Sequence, residues 1–171
     1  YRYHALRQLA AGEPPLPPVH LHLVRWRHDV DVRREIRCFV HNSRLVAASH
    51  QFPGEMFEFF GRERELVSAL HSFVSTLYAE LPGLYPECVL DIEVGEEEGV
   101  LQPMLVEFNP YHGHGSTSAA MFDWSTDEAL LYPSAEGARV CVLRYSLSAA
   151  SGLLSRGAMG DWRQEVVLPL G

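Results

Sequence analysis

Two carboxylates and an amide stand where one sheet face would gather them. Val89-Leu90-Asp91-Ile92-Glu93-Val94 and Met104-Leu105-Val106-Glu107-Phe108-Asn109-Pro110 are strand-like runs around the acidic, glycine-bounded stretch Gly95-Glu96-Glu97-Glu98-Gly99. Partners in an antiparallel hairpin sum to a constant, so a hairpin centred on Gly99 places Asp91 opposite Glu107, Val89 opposite Asn109 and Glu93 opposite Leu105. Side chains alternate faces, which puts Asp91, Glu107 and Asn109 on one side and Leu90, Ile92, Val106 and Phe108 on the other. Facing carboxylates repel by a few tenths to ~1 kcal/mol, more when partly buried, and a cation between them removes that cost. Two carboxylates and an amide carbonyl are hard oxygen ligands suited to Mg2+ or Mn2+, with positions left for water and substrate phosphates. The plainer alternative is a solvent-facing hairpin whose acids point into water.

Two neighbours bear on this patch. The glycine-rich run Tyr111-His112-Gly113-His114-Gly115-Ser116-Thr117 follows Pro110 directly and has the composition of a loop that closes over a phosphate, with His112 and His114 beside the acids. In Glu35-Ile36-Arg37-Cys38-Phe39-Val40, alternation sets Glu35, Arg37 and Phe39 on one face, so Arg37 is a mid-strand cation. Its fork suits a phosphate oxygen, and an ion pair with Glu35 or Asp29 is the equally simple alternative.

The elements that must position these residues read as an α+β protein: a mainly antiparallel sheet with packed helices. Glu35 to Val40 and Leu45 to His50 flank the polar break His41-Asn42-Ser43-Arg44, a tight hairpin. Between Gly61 and Leu81 the residues Leu66, Leu70, Phe73, Val74, Leu77 and Leu81 recur at helical spacing, Glu63 and Glu65 suit the first turn, and Pro82-Gly83 stops the helix. Val19 to Trp26, Arg139 to Leu147 and Glu165 to Leu168 read as further strands. The proline-dense residues 12 to 18 cannot be helix interior or central strand, so residues 1-18 read as a lead-in linker and 19-171 as the domain.

Composition removes several functions. A length of 171 residues suffices for one domain with a core, and no apolar run is long enough to span a membrane. There are 14 basic against 22 acidic residues and a net charge of -8, which disfavours a nucleic acid partner. Every basic residue is Arg, so this chain supplies no P-loop, Schiff-base or general-base lysine. Three scattered cysteines, Cys38, Cys88 and Cys141, suit reduced thiols and a cytoplasmic location. A start at Tyr1, without Met or a targeting segment, reads as a trimmed piece. His20 and His22, with His28 nearby, read as strand-face histidines because no Cys or carboxylate at matching spacing completes a zinc site. Ser116 lacks the strand-turn-helix context of a hydrolase nucleophile. Trp26, Phe122 and Trp124 read first as core.

Arg25-Trp26, the run from Arg34 to Ser49, Asp91-Ile92-Glu93-Val94, Glu107-Phe108-Asn109-Pro110 and Met121-Phe122-Asp123-Trp124 resemble, in order, the landmarks of the cell division cycle protein 123 family, which is similar to ATP-grasp enzymes. The resemblance covers roughly residues 22 to 132. It implies the carboxy-terminal part of an ATP-grasp-like fold, with ATP held between two lobes and Mg2+ on Asp91, Glu107 and Asn109. It further implies Arg37 as a catalytic, phosphate-side arginine and the strand from His22 to Trp26, with Arg25 and Trp26, near the adenine. ATP-grasp chemistry suggests a ligase that forms an acyl phosphate for a small acceptor substrate. The family's own work suggests the alternative, a nucleotide-bound assembly chaperone that grips a subunit of translation initiation factor two as protein partner. The family commonly has Asp where this chain has Glu107. The lysine-bearing amino-terminal lobe that normally meets the phosphates has no counterpart here.

Overall fold

A computed structural model describes residues 28–52, 54–111, 117–134, 140–147 and 163–170. Its frame is one six-stranded sheet in the order β4-β3-β1-β2-β5-β6, built from β1 (Glu35–His41), β2 (Arg44–His50), β3 (Cys88–Glu97), β4 (Val100–Pro110), β5 (Val140–Ser146) and β6 (Arg163–Pro169). Every neighbouring pair is antiparallel except β2 with β5. The α+β expectation holds, and the anticipated strand from Val19 to Trp26 and the linker over residues 1-18 lie outside the described residues.

Both short hairpins follow from turn chemistry. Asn42 and Ser43 have φ of 51° and 62°, the left-handed geometry that lets a two-residue turn match the twist of its strands. Asn tolerates that geometry, whereas Ser meets steric cost there. Ser43→Gly, which makes the favoured Asn-Gly turn, is therefore expected to stabilise the protein by a few tenths to about 1 kcal/mol in urea titration.

The helix α1 (Glu63–Glu80) carries Glu63 and Glu65 in its first turn and buries Leu66, Val67, Leu70 and Val74. Leu81 caps the helix and is half exposed, outside the stripe expected of it. The helix covers the sheet face formed by Ile36, Cys38, Val40, Leu90, Ile92 and Leu143. Each fully buried leucine of such a stripe contributes about 1.5–3 kcal/mol relative to exposure. The three cysteines are all buried and free, and burial pushes the Cys141 thiol up to about 12, so none has the profile of a reactive thiolate.

The opposite face carries a smaller core. Phe39, Ala47, Val89 and Val142 lie under Tyr111, Ala119, Phe122 and Leu131, with Trp124 packed against them. Leu131 belongs to the one-turn helix α2 (Glu128–Leu131), whose carbonyl accepts from the Tyr111 hydroxyl. Phe122 and Trp124 are thus core, as their spacing suggested.

Candidate functional site

The β3–β4 hairpin sets Asp91 opposite Glu107 and Val89 opposite Asn109, as the sequence predicts. Two deviations cancel to give this. The turn is Glu98-Gly99, with φ of 50° and 81°, half a residue off the expected centre, and the strands run on through the acidic stretch to Glu97 and Val100. An irregularity between Asp91 and Ile92 then inserts Val106 into β4 and restores the expected pairing beyond it. On the turn side of the bulge Glu93 pairs with Met104, not with Leu105 as the symmetry argument gave.

Arg37 completes the patch in a way the sequence did not specify. It pairs in register with Asp91, and its Nε and Nη2 donate to Asp91 Oδ1 and Oδ2 at 2.8 and 2.7 Å. The ion-pair partner is therefore Asp91 across the ladder, in place of the Glu35 or Asp29 that local sequence suggests. The cation that relieves the facing acids is, in this structure, the guanidinium. Arg37 is 6% exposed and Asp91 1%, so the pair is sealed from water. Asn109 Nδ2 donates to Asp91 Oδ2 at 2.9 Å, which turns the amide carbonyl away as a remaining oxygen donor. Glu107 is exposed. The third arm of Arg37, Nη1, donates to the Ser118 carbonyl at 2.6 Å.

The patch is one end of a row that crosses the whole sheet. Following the registers from edge to edge gives Glu107, Asp91, Arg37, Ser49, Arg144 and Glu165, one residue from each strand. Arg144 mirrors Arg37. Its Nε donates to Glu165 at 2.6 Å, its Nη1 and Nη2 donate to Asp127 at 2.6 and 2.9 Å, and Nη1 reaches the Met121 carbonyl at 3.4 Å. Its guanidinium also lies 4.4 Å above the Phe122 ring centre. Sequence reasoning missed Ser49, Arg144 and the Ser118 carbonyl. Arg144 is a polar residue at mid-strand, the same signal that marked Arg37, but its place in the row depends on a parallel pairing between distant segments.

Glu35 adds to the negative field. Burial is the largest cause that raises its carboxyl above the usual range, and the charges of Asp91, Glu107 and Glu93 add to it against the opposing pull of Arg37. The folded protein thus holds this proton to higher pH than the unfolded chain, so stability falls as pH rises through that window. Glu35→Gln is expected to be more stable than the parent at neutral pH. The gain should vanish below the unfolded carboxyl pKa of about 4.3, as urea midpoints across pH will show.

The donor set fits a hard divalent cation through Glu107, which is exposed, the Asn109 carbonyl oxygen and Asp91 Oδ1, which has lone-pair capacity beyond its bond to Arg37, whereas Asp91 Oδ2 already accepts from both Arg37 and Asn109. Among the described residues, no cluster of three His, Cys, Asp or Glu side chains forms a metal site, so any cation here depends on the amide. Arg25, Trp26, His112 and His114, expected near the nucleotide, lie outside the described residues, as do His20 and His22. No helix among the described residues is long and apolar enough to cross a membrane.

The α+β sheet brings the ordered motifs together, with a sealed arginine–aspartate pair beside an oxygen-rich hairpin. The D123 family model matches residues 3–145, most of the chain, and the chain belongs to that family, the cell division cycle protein 123 family. It is similar to two solved structures from Schizosaccharomyces pombe, Cdc123 and a C-terminally truncated Cdc123. Each shares 20% identity and a TM-score of 0.50, over 61% of this chain and 38% of the other. At that identity the likeness is one of fold, and the matched region is well under half of those proteins. No curated protein matches the chain.

Proposed function

We propose that this chain supplies the ATP- and Mg2+-binding face of an ATP-grasp-like fold, and that it serves as a nucleotide-bound assembly factor gripping a protein partner. For the family resembled, that partner is a subunit of translation initiation factor two. The observation that carries the reading is the single-face register of Asp91, Glu107 and Asn109 with Arg37 beside them. Asp91, Glu107 and the Asn109 carbonyl would hold Mg2+, and the bound ion would offset the charge of a triphosphate. Arg37 would orient a phosphate through the donor capacity that its bond to Asp91 leaves. Membership of the D123 family favours assembly over ligase chemistry.

Isothermal titration of ATP with and without Mg2+ tests the site. Glu107→Ala is the cleanest variant, because Glu107 is exposed and its loss leaves the Arg37–Asp91 pair intact. Metal-dependent binding that weakens at least tenfold in Glu107→Ala and in Asn109→Ala is the expected result. Binding unchanged in both would remove the hairpin from the site. Assembly and ligase readings part on turnover: a gripping factor holds ATP with little release of ADP when an acceptor carboxylate and amine are offered, whereas a ligase releases ADP and phosphate steadily.

A further inference from the structure

We propose that residues 117–121 form a latch over the charged row, closed by the bond from Arg37 to the Ser118 carbonyl and opened when a nucleotide phosphate takes that carbonyl's place. The inference rests on the nucleotide reading above and adds its regulation. Two arms of the Arg37 fork are fixed by Asp91, which turns one N–H of the third, Nη1, to a position on the far side of the guanidinium. That position is filled by a carbonyl from a segment outside the sheet ladder, and with it in place Arg37 is sealed. A phosphate that takes this N–H displaces the Ser118 carbonyl.

The exchange is favourable in each of its parts. A phosphate oxygen is a charged acceptor and binds a guanidinium more strongly than a neutral carbonyl does. The released carbonyl belongs to an exposed residue, so water satisfies it at little cost. The segment is also held in a strained form: Ala120 has a φ of 51°, a geometry that a residue with a Cβ adopts at a cost. Between its ends, where Trp124 Nε1 donates to the Thr117 carbonyl at 3.0 Å and Arg144 Nη1 to the Met121 carbonyl at 3.4 Å, its bonds are short-range turns, Ala120 N–H to Ser118 Oγ at 3.1 Å and Phe122 N–H to the Ala119 carbonyl at 2.9 Å. Beyond Met121 the chain is tied down again, by Arg144 on Asp127 and by Phe122 and Trp124 in the small core. Opening is thereby confined to the stretch between the Thr117 and Met121 carbonyls, and it releases the Ala120 and Phe122 amides.

Hydrogen exchange on the 171-residue chain, read with and without Mg-ATP at concentrations set by titration calorimetry, tests this. The amides of Ala120 and Phe122 are expected to exchange about tenfold faster in the liganded protein, while amides of 36–40 and 89–92 do not quicken. Arg37→Lys gives a second reading. Lysine keeps a cation for Asp91 but lacks the fork, so Ala120 and Phe122 should exchange fast without ligand and respond little to it. Binding heat with unchanged or slower exchange at 120 and 122 overturns the latch and leaves the nucleotide site standing. Parental slow exchange in Arg37→Lys also overturns the latch. Absence of binding heat overturns both proposals.

Discussion

Arg37→Met is expected to lower the unfolding free energy by about 3–5 kcal/mol, most of a small domain's margin, because it strands a carboxylate in the protein interior. Asp91 is almost fully buried, and without Arg37 its carboxylate keeps, among the described residues, one side-chain hydrogen bond, from the Asn109 amide. Removing both charges tests the interpretation. Arg37→Met with Asp91→Leu should be more stable than Arg37→Met alone, since buried ion pairs often exchange for apolar pairs at little loss. Urea denaturation of both singles and the double decides it. Single variants that each cost under 1 kcal/mol would mean that water reaches the pair.

Phe39→Ala should cost a similar amount, about 3–5 kcal/mol, by a different mechanism. Phe39 is fully buried and packs edge-on against Phe122 and Trp124 at centroid distances of 5.3 and 5.6 Å and against Tyr111 at 6.4 Å. It fills the centre of the small core, so truncation opens a cavity under the segment that reaches from Ala119 to Leu131. The large side chains of that layer, Tyr111, Phe122 and Trp124, all meet Phe39, and these rings cannot slide together into the cavity without breaking the Trp124 bond to the Thr117 carbonyl. Phe108→Ala is the control. Phe108 is a phenylalanine of similar strand context but is 43% exposed, and its loss should cost well under half as much. Thermal unfolding of the two variants side by side will show whether the small core carries weight out of proportion to its size.

Much of this was legible in the sequence wherever the governing interaction was local. The face of each strand follows from alternation, so Phe39 and Arg37 were separable from Ile36 and Cys38 before any coordinates. The helix stripe followed from its spacing, and the Asp91–Glu107 pairing from hairpin symmetry. That pairing survived because the turn's offset and the Val106 bulge happen to compensate, which no symmetry argument foresees. What sequence could not supply was the partner of a charge. Arg37 has nearer acids in the chain, yet it takes Asp91, because strand order places β3 directly beside β1 and makes a bidentate contact available there. Ser118 was invisible for another reason: its contribution is a backbone carbonyl, which carries no residue-type signal at all.

The single parallel pairing, β2 with β5, has a consequence for how the chain is made. Strands β1 to β4 can close through two hairpins and one crossover that carries the helix α1, whereas β5 must return from beyond β4 to cover β2. Until it does, β2 lies at the rim of a four-stranded sheet with Leu45, Val46, Ala47 and Ala48 along its length, a run of small and apolar residues whose backbone groups have no partner on that side. A nascent chain halted before Val140 therefore presents a sticky edge for as long as the halt lasts. Ribosome pausing in that interval should convert into aggregation or chaperone demand far more readily than pausing anywhere after Ser146.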